Sequence, residues 1–177
     1  MIQVQPLEHT ALRPTCDEDI AVFRRLTAGD RLERQTCRPI VDGKRMPLDA
    51  RKQDFTFVVG DAPAGWVSLF NLNSRNQAAE FGYGLVKPMR GQGWGRHMLA
   101  TAFDHFFATT DLNKLHCQTA SFNTPSVRML ESLGLTRDGV LRAEHELDGE
   151  LYDDFIYSLL RQEWLALRRS IPDAGLV

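Results

Sequence analysis

No stretch of this chain approaches the roughly 20 consecutive apolar residues that span a bilayer, so no transmembrane helix is expected and no membrane partner. The opening "MIQVQPLEHT" lacks the basic start and apolar run of a signal peptide. Cysteine is scarce. Cys16, Cys37 and Cys117 lie far apart and are odd in number, which argues against both a disulfide framework and a metal site. Free thiols in a reducing compartment follow, and the expected location is cytoplasmic. An excess of either charge is also missing. The chain has 21 basic and 23 acidic residues, a net charge of −2, which speaks against nucleic acid as a partner. There is no internal repeat and no low-complexity segment. What remains is 43% apolar and 25% charged over 177 residues, the make-up of one globular domain spanning 1–177.

The segment "ALRPTCDEDIAVFRRL" reads as a short strand and then a helix. Thr15 is placed to cap that helix, and acidic residues 17–19 suit its first turn. Residues 27–53 are charged, carry Pro39, Gly43 and Pro47, and read as one or two helices and a loop. "DFTFVVG" and "AGWVSLFNL" form a hairpin around "DAPA", and "QAAEFGYGLV" is a third strand with its glycines on one face. In "WGRHMLATAFDHFF", Met98, Leu99, Ala102, Phe103, Phe106 and Phe107 form one helical stripe. "KLHCQTA" alternates as a strand, with Cys117 as core and His116 on a strand face. "NTPSVRMLESLG" is a helix with Thr124 as cap, Pro125 in the first turn and Gly134 past its end. Two closing strands turn near Asp148-Gly149, and "RQEWLALRR" ends the pattern as a helix. This order predicts a mixed sheet with one parallel strand–helix–strand crossover at 79–120 and helices on the faces.

The stretch "VKPMRGQGWGRHM" raises the functional question. A strand enters it, a helix leaves it, and three glycines lie between Arg90 and Arg96. A helix N-terminus offers unpaired N–H groups and positive potential, and glycine lets an anion approach the main chain. This is a phosphate or pyrophosphate cradle. A Walker loop fails because Gly95 is followed by Arg96-His97, and a dinucleotide fingerprint fails at Arg96 and Met98.

The spacing Arg-x-x-Gly-x-Gly, present as Arg90-Gly91-Gln92-Gly93-Trp94-Gly95, resembles the acetyl-CoA pyrophosphate loop of the GNAT superfamily of N-acetyltransferases. "AEFGYGLVKPMRGQGWG" looks like that family's fourth strand entering the loop, and "NTPSVRMLESLGL" is similar to its Asn-x-x-Ser/Ala helix. "DGVLRAEHELDGELYDDFIYSLLRQEW" resembles the tail of the branch that acetylates ribosomal-protein N-termini (alanine or serine). The likeness covers residues 8–165 and is strongest over 79–164. It implies an α/β fold of the α+β type: a single domain with a mixed, mostly antiparallel, twisted sheet of about seven strands, helices on both faces, and a cleft where the family's strands 4 and 5 splay.

The resemblance implies transfer of acetyl from acetyl-CoA to a primary amine by direct attack in a ternary complex, with no metal. Residues Arg90, Gly91, Gln92, Gly93, Trp94, Gly95 and Arg96 would hold the cofactor's pyrophosphate. Leu85 and Val86 would pair with its pantetheine arm like an added strand. The Asn123 amide would bond the same arm. The tyrosine that many relatives use as general acid falls on Leu130, so Ser126 becomes the candidate acid, as in the ribosomal-protein branch. Glu80 is the candidate base, with His145, Glu144 and Glu146 behind it; a histidine in so acidic a strand is expected to be exposed. Seven carboxylates between 138 and 154 (Asp138, Glu144, Glu146, Asp148, Glu150, Asp153 and Asp154) predict an acidic rim suited to a cationic acceptor: a peptide N-terminus, a polyamine or an aminoglycoside. Trp66, Phe70 and Tyr83 are placed along the channel. A homodimer is compatible with the superfamily. The competing reading is a catalytically weak acyl-CoA sensor on the same fold.

Overall fold

Turn signals and β-rich runs set the element order, and a computed structural model shows it. It describes residues 10–31, 34, 40–41, 44–45 and 52–170, without the side chains of 40–41, 44–45 and 170. The elements are β1 (Thr10–Pro14), α1 (Asp17–Leu26), β2 (Ile40–Val41), β3 (Lys44–Arg45), β4 (Gln53–Val59), β5 (Ala62–Asn73) and β6 (Ala78–Leu85). After them come α2 (Trp94–Thr109), β7 (Lys114–Ala120), α3 (Thr124–Ser132), β8 (Thr136–Leu147), β9 (Glu150–Leu160) and α4 (Arg161–Ser170). Most of the predicted helix-and-loop region 27–53 lies outside the described residues; its described part includes the short antiparallel pair β2–β3.

A seven-stranded sheet runs in the order β1-β4-β5-β6-β7-β9-β8. The β6–β7 pair is parallel, and the crossover between them is α2, as the sequence predicts. That pairing lasts only from Ala78 to Glu80 against Lys114 to His116. Beyond it, β6 follows β5 as far as Leu85 while β7 follows β9 as far as Ala120. The two strands therefore part company in mid-sheet, and their inner edges lose their ladder.

Strand alternation sorts the two faces. Val67, Leu69, Phe81 and Leu115 are buried with the α2 stripe of Met98, Leu99, Ala102, Phe103 and Phe106. Phe81 meets Phe103 edge-on at 5.1 Å. Trp164 of α4 joins from the far side, 5.5 Å from Phe103, and its indole N–H donates to Asp104 Oδ1 at 2.8 Å. Trp66 points to the opposite face, where Phe23 of α1 lies 5.2 Å from it. Gly84 makes this possible: a Cβ there would stand 2.2 Å from the Trp66 ring, so only glycine lets the indole lie across β6.

Two predicted caps move by one residue. Cys16, not Thr15, precedes α1, and its backbone N–H donates to Asp19 Oδ2 at 3.1 Å. Thr15 Oγ1 is instead bonded to Thr56 Oγ1 at 3.0 Å. Buried Asp19 also accepts from Arg13 Nη1 and Nη2 at 2.6 and 2.8 Å and from Thr56 Oγ1 at 2.9 Å. The Arg13 guanidinium holds its carboxyl well below the usual carboxylate range. This cluster fastens α1 to β1 and β4. At α3 the capping position is Asn123 rather than Thr124.

Candidate active site

The splay between β6 and β7 opens a cavity of about 560 Å³. Residues of both sheet faces line it, Tyr83 and Thr119 from the α2 side and Glu80 and Gln118 from the α1 side, so the opening passes through the sheet. Trp66, Phe70 and Tyr83 stand in its wall, as the sequence predicts.

The glycine loop lies at the end of β6. A single 3-10 turn, Lys87–Met89, leads into it. Gly91 and Gly93 have φ of +73° and +85°, a left-handed backbone that side chains resist, and a Cβ on either would meet open space. Gly95 is required for a different reason, since its missing Cβ makes room for Met129 Sδ, which would otherwise sit at 2.8 Å. Among the described residues, nothing accepts a hydrogen bond from the amides of residues 91–95; the first intrahelical donors are Arg96 and His97, both to Gly93 O. Arg96 Nε is buried without a hydrogen-bond partner. Free amides, an open approach, a helix N-terminus and an orphaned guanidinium donor fit a phosphate-bearing ligand. Arg90 is less free than its sequence position suggests. Its Nη2 pairs with Asp30 Oδ2 at 2.7 Å, and Lys87 Nζ lies 3.5 Å from the same carboxylate, which is only 11% exposed. Arg90 depresses the Asp30 carboxyl most strongly, with Lys87 adding to it.

The end of β6 is also more occupied than expected. Val86 N–H donates to Ala64 O at 3.0 Å, and Leu85 O accepts from Arg90 Nε at 2.9 Å. By alternation the Leu85 N–H points away from β5, toward the splay. Across the opening, Asn123 lines the cavity and makes no side-chain capping bond, which leaves its amide for another partner.

Ser126 is 8% exposed. Its hydroxyl is bonded to the Tyr83 hydroxyl and accepts from Thr119 Oγ1 at 3.2 Å. The sequence marks Tyr83 only as a channel residue; its link to Ser126 depends on α3 folding back on the splay, which no local pattern reveals. Glu80 lines the cavity opposite, and its Oε2 accepts from Asn71 Nδ2 at 2.9 Å.

Two expectations fail. His145 is 7% exposed, not a surface residue, and it lines the cavity. Its Nδ1 lies 3.5 Å from Oδ1 of Asp154, which is fully buried and whose Oδ2 accepts from Gln118 Nε2 at 2.7 Å. Alternation places it there: His145 shares the inward face with buried Leu147 while Glu144 and Glu146 point out, and the β8–β9 register slips just before it, where Ala143 sits at φ +52° with its N–H on Asp153 Oδ1. The acidic rim fails as well. None of the seven carboxylates between 138 and 154 lines the cavity. Asp138 pairs with Lys114, Asp148 with Arg31, and Asp154 is interior. Glu144 and Glu146, both exposed, are not in the cavity wall either.

Two further groups are settled by burial. Cys117 is core, and burial pushes its thiol well above the usual range. His116 is half-buried, which lowers its pKa. Among the described residues no histidine, cysteine and carboxylate cluster could hold a metal.

The sequence profile of the Acetyltransferase (GNAT) domain matches residues 8–136. The chain belongs to the GNAT acetyltransferase family. Acetyl transfer from acetyl-CoA to an amine is the activity of its class. The chain is 28% identical to the uncharacterized N-acetyltransferase YokL of Bacillus subtilis, over 89% of its own length and 93% of YokL. In fold it is similar to the Vibrio cholerae spermidine N-acetyltransferase solved with CoA and spermine, with TM-score 0.76 and 20% identity over 89% of this chain and 98% of the other. RimJ of Mycobacterium smegmatis, solved with CoA-disulfide, has TM-score 0.73 and 22% identity over 87% and 83%. This GNAT protein thus shares its fold with both.

Proposed function

We propose that this GNAT protein, as a single cytoplasmic domain over residues 1–177, acetylates a primary amine by direct attack within a ternary complex. The observation that carries the reading is one cavity, opened by the β6–β7 splay beside a bare-amide loop, with Glu80 on one side and the Ser126–Tyr83 pair on the other. When bound, acetyl-CoA supplies the acetyl group as a thioester. The amides of 91–95 and Arg96 would hold its diphosphate, and Asn123 and the Leu85 N–H would orient its arm, while Val86 would contribute packing rather than its amide. Glu80, directly or through water, removes a proton from the incoming ammonium so that the nitrogen lone pair is free. The Ser126 hydroxyl gives a proton to the departing sulfur and is resupplied along its hydrogen bond with Tyr83.

A second base reading has one observation behind it. His145 faces the cavity with Asp154 Oδ1 3.5 Å from its Nδ1, an arrangement that would orient the imidazole to accept a proton at Nε2. The test is steady-state thiol release with an amine library, for wild type, Glu80→Gln and His145→Asn. Loss confined to Glu80→Gln supports the first reading; loss confined to His145→Asn supports the second. Binding of acetyl-CoA without turnover on any amine would favour the sensor. Sedimentation analysis decides whether the protein forms the homodimer compatible with its superfamily.

A further inference from the structure

We infer that the acceptor is a small amine with an acid group beside it and an apolar or aromatic body, as in a free aromatic α-amino acid, and not a polyamine. This rests on the acetyl-transfer reading and names its substrate class. The wall on the acceptor side is made by α1, where Ile20, Phe23, Arg24 and Thr27 all line the cavity at positions i, i+3, i+4 and i+7, one continuous helical face. Facing it from the sheet, on the same side, are Trp66 and Phe70. These four apolar side chains (Ile20, Phe23, Trp66, Phe70) form a pocket for an apolar body.

The charge balance decides what accompanies that body. Besides His145, the ionisable groups facing the cavity among the described residues are Arg24, Arg34, Lys52, Asp54, Glu80, Tyr83 and the Cys117 thiol, which burial pushes well above the usual range. Lys52 Nζ and Asp54 Oδ2 are 2.7 Å apart and cancel. Among the described residues Glu80 has no salt-bridge partner; its Oε2 accepts from the Asn71 amide. Arg24 has no salt-bridge partner among the described residues. Among the described residues of the wall, two guanidiniums therefore stand against one carboxylate. An ammonium near Glu80 uses the one negative charge, and a second anionic group on the same small molecule would complement Arg24 and Arg34. A guanidinium binds a carboxylate through two parallel bonds, which suits an α-amino acid. A polyamine would bring further positive charges into a cavity already positive, and the hairpin carboxylates that could have neutralised them lie outside it. The volume, about 560 Å³, must hold the cofactor's end as well, so the acceptor is small.

The experiment compares acceptors that differ by one group: L-phenylalanine against phenethylamine and L-tryptophan against tryptamine, with spermidine as the cationic arm. The expected result is a kcat/KM about tenfold or more higher for each amino acid than for its decarboxylated partner, a difference of about 1.4 kcal/mol, with spermidine below both. In Arg24→Gln and Arg34→Gln, made singly and together, the ratio within each pair should fall toward one. Wild-type preference for phenethylamine or spermidine would overturn the inference while leaving acetyl transfer standing, and an undiminished ratio in the double variant would overturn the role of the two arginines. Absence of thiol release with every amine, while CoA still binds, would remove the transferase reading and this inference with it.

Discussion

Replacing Gly93 with alanine separates what the loop's backbone needs from what its ligand needs. Gly93 sits at φ +85° at the start of α2, and a methyl there meets no protein atom within 4 Å. The cost to the fold is therefore conformational, about 1–2 kcal/mol for an L-residue in the left-handed region. For a chain of this size each kcal/mol lowers Tm by about 2–4 °C, so a fall of about 2–8 °C is expected. Gly60 is the control. It has φ +61° and equally open surroundings, but it lies in the β4–β5 turn, away from the glycine loop. Gly60→Ala should lower Tm by a similar amount and leave CoA affinity unchanged. In Gly93→Ala the same methyl occupies the approach to the free amides of residues 91–95, and the CoA Kd should rise at least tenfold, about 1.4 kcal/mol. Calorimetric titration with CoA, paired with thermal melts of both variants, reads both effects. Equal CoA affinity in the two variants, both folded, would refute the reasoning.

Other expectations follow from the same geometry. Glu80→Gln should lower kcat about 100-fold or more at neutral pH with CoA affinity within twofold, the range general bases contribute, as steady-state kinetics and titration would record. Ser126→Ala should lower kcat about tenfold and cost about 1–3 kcal/mol, because buried Thr119 loses its acceptor, whereas that loss with normal kcat would assign the Ser126–Tyr83–Thr119 group to structure. Asp19→Asn should cost about 2 kcal/mol by chemical denaturation, because it removes a charged acceptor of several bonds. Asp19 is held below its unfolded value, so its contribution is full above about pH 4 and decays as pH falls; wild type should therefore lose its advantage over Asp19→Asn in acid. Trp164→Ala should cost about 3–5 kcal/mol, since the ring is 1% exposed and packs on Phe103.

Much of the frame can be read from residue order. The α2 stripe, the strand at 114–120, the turn at Asp148-Gly149 and the parallel crossover all stand where periodicity and turn residues put them. They are legible because each depends on neighbours within a few residues. The glycine loop is legible for the same reason, although sequence does not distinguish Gly91 and Gly93, held by φ, from Gly95, held by the proximity of Met129. What stays hidden depends on contacts distant in sequence. Thr15 looks like a helix cap until Thr56 claims its hydroxyl. Arg90 looks like a free phosphate ligand until Asp30, 60 residues away, pairs with it. His145 looks exposed among the acids of its strand, yet it alternates with exposed Glu144 and Glu146 and shares the inward face with Leu147, and which face is inward depends on the pairing with β9. The carboxylates of the same hairpin look like a rim in sequence because residue order carries no measure of their distance from the cavity.

A crystal structure with bound CoA tests the central claim most directly. The account predicts the diphosphate within hydrogen-bond distance of the amides between residues 91 and 96, with the pantetheine arm running through the β6–β7 opening past Asn123. A diphosphate bound elsewhere, with those amides facing only solvent and the opening empty, would contradict it.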